Sequence, residues 1–244
     1  MDYKKMIENI DKDKMPKHIG VIMDGNGRWA KAKKKSRIKG HYEGVNTVRK
    51  IVEVAGEIGL EYMTIYAFST ENWNRPKLEV KALFKLLMDS LLKEVDNLHK
   101  NNVNMHFIGT AEHLEKGFLQ KVNKISKKTW NNTGLYFNIA LNYGGRKEII
   151  EGINRLIEDK ISQKINEEIT EEDFSKYLYT ANQPDPDLII RTSGEQRLSN
   201  FLVWQSAYSE FWFTKIYWPD FDKANFLEAI LDYQKRKRRF GDVK

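Results

Sequence analysis

Residues 18–31 read HIGVIMDGNGRWAK, and the rest of the chain is organised around this stretch. Its apolar part, 19–23, is typical of a buried strand, and the polar DGNGR that follows predicts an abrupt end to that strand. If a helix begins at Arg28, its free backbone N–H groups point to the same place as the Asp24 carboxylate. This arrangement forms an anion pocket beside a possible metal ligand, which suits a diphosphate with a bound cation. Asp-Gly and Asn-Gly are also the commonest turn signals. From these residues alone, an anion site and a plain turn both remain open.

The composition describes a globular chain with an excess of positive charge. Its 244 residues are 41% hydrophobic and 12% aromatic, enough for the core of one large domain. There is no cysteine, and the first 17 residues lack the apolar segment of a signal peptide, so we expect a cytoplasmic protein. The net charge is +7, concentrated in 31–39 (KAKKKSRIK) and 235–239 (KRKRR). These runs suit nucleic acid, acidic lipid headgroups or phosphorylated small molecules, and are equally ordinary as solvated faces.

Strand and helix patterns alternate along the chain. Apolar, β-branched and aromatic runs predict six strands, at 19–23, 62–68, 103–108, 135–141, 188–191 and 211–217. Helical spacing predicts helices at 28–35, 43–58, 79–100, 114–127, 147–159, 171–178 and 225–239, with a short one at 199–204. Residues 36–44 contain glycines and are predicted to form a basic loop. Residues 1–17 are predicted to form a short helix or a frayed arm. The alternation predicts one α/β domain over 18–244, with an open, mostly parallel six-stranded sheet flanked by helices.

Polar loops follow the first, second and fifth predicted strands. Ligands of parallel sheets collect beyond the carboxyl ends of the strands, so 24–28, 69–75 and 191–197 are expected to meet at one edge. Their positive groups, with those of the basic loop, suit two diphosphates, although any one of them alone is typical of a surface ion pair. These groups are Arg28, Arg37, His41, Arg75, Arg191 and Arg197. Asp24 and Glu210 are candidate ligands for Mg²⁺, which one or two carboxylates and substrate phosphates usually hold.

Several other site types are not indicated. No G-x-G-x-x-G follows the first strand and no P-loop is present, which argues against dinucleotide and P-loop nucleotide binding. The five histidines lack close ligand spacing, and no cysteine is available for zinc.

Five long motifs, in order and at the expected spacing, resemble the cis-prenyltransferases, and most closely the bacterial undecaprenyl diphosphate synthases. They are HIGVIMDGNGRWA at 18–30, YAFSTENWNRP at 66–76, FNIALNYGGR at 137–146, DLIIRTSGEQRLSNFLVWQ at 187–205 and YSEFWFTKIYWPDF at 208–221. The resemblance implies a homodimeric, Mg²⁺-dependent enzyme that adds isopentenyl diphosphate in cis to an allylic diphosphate, typically farnesyl diphosphate. The implied product is the long lipid carrier of cell-wall synthesis, which suggests peripheral contact with the inner face of a membrane.

The resemblance also implies a role for each candidate residue. Asp24 would ligate Mg²⁺ and assist ionisation of the allylic diphosphate, with Glu210 as a second carboxylate. Asn72 would take the proton lost after attack, with Ser69 as a polar helper. The residues implied to hold the allylic diphosphate are Gly25, Asn26, Gly27, Arg28, Arg37, His41 and Arg75. Trp29 and Trp73 are also expected to bind substrate. Those implied to bind isopentenyl diphosphate are Arg191, Arg197 and Ser199.

A growing hydrocarbon also needs an apolar channel. The helix predicted at 79–100 offers a lining in Leu83, Phe84 and Leu87, and the small Ala67 leaves room near the start, although the same stripe would serve as plain core. Two other functions are weighed against this one. A non-catalytic accessory protein of the same fold would not need Asp24, and a nucleic-acid-binding protein would be expected to carry a recognisable motif. We therefore expect no nucleic-acid partner.

Overall fold

The computed structural model of the chain describes residues 3–165 and 168–238. The strands are β1 (His18–Ile22), β2 (Tyr62–Ser69), β3 (Asn104–Ile108), β4 (Tyr136–Tyr143), β5 (Leu188–Arg191) and β6 (Glu210–Phe213). The helices are α1 (Tyr3–Glu8), α2 (Asn26–Ala32), α3 (Arg37–Ile58), α4 (Lys77–Lys100), α5 (Lys116–Thr129), α6 (Gly145–Ile161), α7 (Glu171–Ser175) and α8 (Lys223–Lys235). Short 3₁₀ turns lie at Lys12–Lys14, Thr70–Asn74 and Trp218–Asp220. All six predicted strands are present.

The strands form one sheet in the order β3-β4-β2-β1-β5-β6, and every neighbouring pair is parallel. The predicted open α/β sheet is confirmed, and it is wholly rather than mostly parallel. β1 is central: Ile19 pairs with Met63 of β2 on one side and with Leu188 of β5 on the other. All residues of β1 are buried, as expected for a strand covered by helices on both faces.

The main core lies on one face of the sheet. Ile19 and Val21 of β1 pack there with apolar side chains of α3, α4 and α8. A smaller cluster around Phe201 and Leu202 covers the carboxyl half of the opposite face. Met6 of α1, within the predicted N-terminal arm, is buried in the main core. Among the residues that the structure describes, no helix has the length and apolarity needed to cross a bilayer.

The prediction of a basic loop at 36–44 is wrong, because α3 already begins at Arg37. Ser36 caps this helix by accepting a hydrogen bond from the Lys39 N–H at 3.4 Å. Gly40 and Gly44 are therefore helical, and they serve close packing rather than a turn. A Cβ at Gly40 would lie 2.1 Å from the Asn26 carbonyl oxygen, and one at Gly44 would lie 2.4 Å from Asn26 Oδ1. The two glycines let α2 rest directly on α3.

One further prediction in the C-terminal part of the chain is wrong, and two others are wrong only in extent. The segment 199–204 is not a helix, because Ser199, Asn200 and Leu202 all have positive φ. β6 ends at Phe213 instead of continuing to 217, and the chain then bonds to the turn at 193–194. α8 ends at Lys235, and the predicted last residue, Arg239, lies outside the described part of the chain.

Candidate active site

The loops after β1, β2 and β5 meet at the carboxyl edge of the sheet, as predicted. They border a cavity of about 390 Å³ that extends between the main-core face of the sheet and the helices α3 and α4. Its polar end is lined by Asp24, Asn26, His41, Ser69, Asn72, Arg75, Arg191 and Ser199. Charged and amide groups therefore gather at one end of an elongated apolar space.

Asp24 is held in place by residues from α2 and β5. Its Oδ2 lies 3.0 Å from Arg28 Nη2 and 3.1 Å from Arg191 Nη2. The Thr192 hydroxyl accepts from the Asp24 N–H at 3.0 Å and donates to the Asp24 carbonyl at 2.7 Å. Burial pushes the Asp24 pKa upward, but hydrogen bonds from Arg191 and Arg28 outweigh it, so the pKa lies below its ordinary value. The carboxylate is therefore ionised at neutral pH and compensated by two guanidinium groups.

Arg191 links Asp24 to the isopentenyl-site candidates. Only 4% of it is exposed, and its Nη1 donates to Ser199 Oγ at 2.8 Å and to the Arg197 carbonyl. Its buried Nε has no partner among the described residues. Arg197 itself is exposed, and its Nη1 lies 2.6 Å from Glu195 Oε2. Glu195, which sequence reasoning missed, also binds Arg28 at 3.0 Å and so joins the two arginines.

A second group of positive residues stands at the start of α3 and α4. Arg37 and Arg75 each approach Glu79 Oε1 at 3.3 Å, so both point to the same carboxylate. Burial, together with the charges of Arg75 and Arg37, lowers the pKa of His41 to about 4. His41 is thus neutral at pH 7, and its buried Nε2 lacks a partner within the described chain. Sequence analysis missed Glu79, because an acidic residue in a first helical turn has an ordinary role there.

The turn between β1 and α2 requires its glycine. Gly25 has φ of 104°, and a Cβ there would lie 2.8 Å from the Tyr217 ring and 2.9 Å from Ser193 Oγ. The helix begins at Asn26, two residues before the predicted start, so Gly27 lies within its first turn. The Asn26 Oδ1 is buried and has no partner among the described residues. This turn therefore presents backbone and amide groups beside Asp24.

Ser69 and Asn72 form a capping box at the carboxyl end of β2. The Ser69 N–H donates to Asn72 Oδ1 at 3.2 Å, which fixes the orientation of the amide. Both side chains line the cavity, as the prediction of their roles requires.

The two tryptophans predicted to bind substrate are not among the residues that line the cavity. Trp29, on the buried side of α2, donates from Nε1 to Asp220 Oδ1 at 2.7 Å. Trp73 Nε1 donates to Asn142 Oδ1 at 2.6 Å, and its ring stacks on Phe84. In the structure both rings pack against the fold and support the loops that carry site residues.

Glu210 does not approach Asp24 within one chain. It is the first residue of β6 and pairs with Leu188, so it lies at the amino edge of the sheet, whereas Asp24 lies beyond the carboxyl edge. Its carboxylate binds Arg236 Nη1 at 2.8 Å. Residues that precede a strand in a parallel sheet lie at the opposite edge from those that follow one, so the two carboxylates are far apart within one chain. The role of Glu210 as a second carboxylate for the metal stays a prediction. In the described ranges, no group of three or more acidic, histidine or cysteine side chains could hold a metal ion without help from a substrate.

The apolar part of the cavity confirms the predicted lining. Leu83, Phe84 and Leu87 of α4 and Ala67 of β2 all contribute to its wall. An ion pair also belongs to this wall: Arg49 Nε lies 2.9 Å from Glu94 Oε2 and joins α3 to α4. Helical periodicity did not reveal this pair, because a charged residue at the edge of an apolar stripe is normally solvated.

Comparisons with known proteins agree with this geometry. A family model described as "Putative undecaprenyl diphosphate synthase" matches residues 22–241. The chain belongs to the undecaprenyl diphosphate synthase family. An isoprenyl transferase of Clostridium tetani is 55% identical over 235 residues, covering 96% of this chain and 92% of the relative. The ditrans,polycis-undecaprenyl-diphosphate synthase ((2E,6E)-farnesyl-diphosphate specific) of Micrococcus luteus is 53% identical over 236 residues, covering 96% of this chain and 95% of the relative.

Two solved structures share the fold. Lavandulyl diphosphate synthase from Lavandula x intermedia, in complex with dimethylallyl diphosphate, matches with a TM-score of 0.91 and 34% identity, covering 94% of this chain and 100% of that one. A probable undecaprenyl diphosphate synthase from Campylobacter jejuni matches with a TM-score of 0.78 and 35% identity, covering 93% of this chain and 99% of that one. The predicted cis-prenyltransferase family and fold are confirmed.

Proposed function

We propose that this enzyme condenses isopentenyl diphosphate units onto farnesyl diphosphate and releases undecaprenyl diphosphate, a precursor of the cell-wall lipid carrier. One observation carries the proposal: the carboxylate–arginine cluster around Asp24 opens directly on the apolar cavity. The charged end suits diphosphates and the apolar space suits a hydrocarbon. The primer and product follow the name of the Micrococcus luteus relative.

Two diphosphate positions follow from the side chains around the cavity mouth. The allylic diphosphate binds at the turn of Gly25, Asn26 and Gly27. There Arg37 and Arg75 release Glu79 and bind the more highly charged diphosphate. Neutral His41 contributes a ring nitrogen there without adding charge. Isopentenyl diphosphate binds near Ser199, Arg197 and the buried Arg191, in reach of Asp24.

The reaction depends on stabilisation of the negative charge that develops on the leaving pyrophosphate. The allylic C–O bond breaks, pyrophosphate departs with the bonding electrons, and the arginines stabilise its negative charge. The double bond of isopentenyl diphosphate then attacks the allylic cation, and a proton is lost from the isopentenyl unit. The oriented amide of Asn72 stands beside this position, with the leaving pyrophosphate or water as the final proton acceptor. The lengthened chain occupies the apolar cavity.

The donor set fits Mg²⁺ with one carboxylate from this chain. Asp24 is ionised and faces the proposed diphosphates, and Mg²⁺ is commonly held by one or two carboxylates together with substrate phosphates. Such an ion would supply Lewis-acid stabilisation of the departing pyrophosphate. Both guanidinium groups contact Asp24 Oδ2, and no salt bridge within the described residues uses Oδ1, so that oxygen would be available to the ion.

The protein is also proposed to form a homodimer. α6 exposes Ile150, Ile153, Ile157 and Ile161, which recur every three or four residues and therefore share one face. A row of exposed isoleucines on one helix is typical of a contact surface.

A single assay tests the proposed function. The protein is incubated with Mg²⁺, farnesyl diphosphate and radiolabelled isopentenyl diphosphate, and the lipid product is chromatographed. We expect a polyprenyl diphosphate, and Asp24→Asn should reduce kcat by about 10²–10³-fold because charge stabilisation is lost. Asp96→Asn, which changes an exposed carboxylate on α4, is the matched control and should retain activity. Absence of incorporation, or full activity of Asp24→Asn, contradicts the proposal.

A further inference from the structure

The basic segment 31–39 lies beside the cavity mouth, and apart from Arg37 its residues have no role in the proposed reaction. Residues 31–39 are all exposed, and six of the nine are cationic. The cationic ones are Lys31, Lys33, Lys34, Lys35, Arg37 and Lys39. Lys31, Lys33 and Lys34 form no salt bridge with any residue in the described ranges. Their charges are therefore available to a partner outside the chain.

This segment is fixed next to the mouth rather than free in solution. Lys35 Nζ lies 5.0 Å from the centre of the Trp29 ring, which anchors the end of α2. The next residues enter α3, where Arg37 meets Glu79 of α4 at 3.3 Å. His41, one turn further along α3, lines the cavity. The lysines thus border the opening through which a hydrocarbon chain would enter or leave.

Apolar side chains are exposed among these cations. Leu78, next to Glu79 in the first turn of α4, is 83% exposed. Ile38 and Tyr42 in the first turns of α3 are 36% and 51% exposed. Lysines combined with exposed aliphatic and aromatic side chains are the composition of surfaces that lie on anionic bilayers. A nucleic-acid site would gain little from an exposed leucine, because phosphate contacts need donors rather than aliphatic area.

We propose that this mouth surface, formed by Lys31, Lys33, Lys34, Ile38, Tyr42 and Leu78, docks the protein on an anionic lipid bilayer. The lysines bind lipid phosphates, and Leu78 inserts at the boundary between headgroups and acyl chains. The cavity mouth then faces the membrane, so a long hydrocarbon passes into the bilayer without crossing water. The identity of that hydrocarbon rests on the proposed function, whereas the docking itself does not.

The test uses the full chain without substrates. Binding is measured by flotation with vesicles of phosphatidylcholine alone and with vesicles that contain about one-third phosphatidylglycerol. We expect a clear preference for the anionic vesicles, which weakens as salt is added. The variant Lys31→Gln/Lys33→Gln/Lys34→Gln should reduce binding about tenfold or more, and Leu78→Ser should reduce it several-fold at unchanged charge. Both variants change exposed side chains outside the proposed reaction site, so product formation in vesicle-free assays should be retained.

A matched control separates this surface from general positive charge. Lys121→Gln/Lys124→Gln/Lys127→Gln removes the same charge from exposed positions of α5, and should change vesicle binding less than twofold. Equal losses in the two triple variants, no effect of Leu78→Ser, or no preference for anionic vesicles overturns the proposal. So does binding to an RNA oligonucleotide that depends on the same lysines and is tighter than binding to the vesicles. Vesicle binding by a chain that makes no polyprenyl product would contradict the proposed function alone.

Discussion

Arg191 is the residue that joins the two proposed substrate positions. It is almost fully buried, and its guanidinium donates at once to Asp24 Oδ2 and Ser199 Oγ. The Asp24 carboxylate stabilises the buried Arg191 cation. The hydrogen bond from Arg191 in turn helps to keep the pKa of Asp24 below its ordinary value, so that the carboxylate stays ionised. The planar fork of an arginine makes this double contact possible, since a lysine has a single charged nitrogen.

We therefore expect Arg191→Lys to raise the KM for isopentenyl diphosphate by about tenfold or more, because one ammonium cannot reach both partners. The hydrogen bond from Arg191 lowers the pKa of Asp24, so the acid limb of the kcat/KM profile should also move to higher pH. Arg197→Lys is the matched control: Arg197 is exposed and contacts Glu195, so a smaller change in KM and no shift of the acid limb are expected. Equal behaviour of the two variants would refute the central role of Arg191.

At the scale of elements, sequence patterns predicted the strands and loops, which depend on the burial of apolar residues. They missed features that depend on contacts between residues distant in sequence. The six strands and the meeting of the loops at one edge followed from apolar runs and from parallel topology. Gly40 and Gly44 were misread, because a glycine at a turn and a glycine in a tight helix contact give the same local signal. Glu79 and Glu195 were missed, since their importance comes from arginines that are distant in sequence or lie on another element.

The ion pair between α3 and α4 is expected to influence product length. Arg49 and Glu94 belong to a cavity wall that is otherwise mainly apolar, and only 17% of the Glu94 side chain is exposed. A hydrocarbon chain does not readily displace this pair, because the largely buried Glu94 carboxylate would lose its partner. The pair thus keeps the two helices together beside the growing chain.

Replacing the pair with Arg49→Leu/Glu94→Leu should shift the product distribution to longer chains, since an apolar wall admits further isoprene units. Products are dephosphorylated and resolved by reversed-phase chromatography. Glu53→Gln, on the exposed side of α3 where it meets Lys223, should leave the distribution unchanged. An active double variant with the original distribution would contradict this role.

At the scale of the molecule, the exposed isoleucines of α6 define the proposed dimer contact. Ile157→Glu places a charge in the middle of this row, where burial against a second copy would leave it unpaired. We expect the variant to sediment as a monomer at micromolar concentration, whereas the unchanged protein sediments as a dimer. Leu92→Glu makes the same change at a half-exposed position of α4 and should preserve the dimer. A dimeric Ile157→Glu protein would place the contact elsewhere.

The central position of β1 has a consequence for how the chain folds. β1 pairs on one side with β5, and the bond between Asp24 and Arg191 joins residues 167 positions apart. During synthesis the first strand therefore emerges long before its second neighbour exists, with one edge open and its apolar residues uncovered. Contacts of such long sequence separation form slowly and favour intermediates. The Asp24 carboxylate leaves the ribosome before the other residues of its cluster and is among the last to gain its native partners.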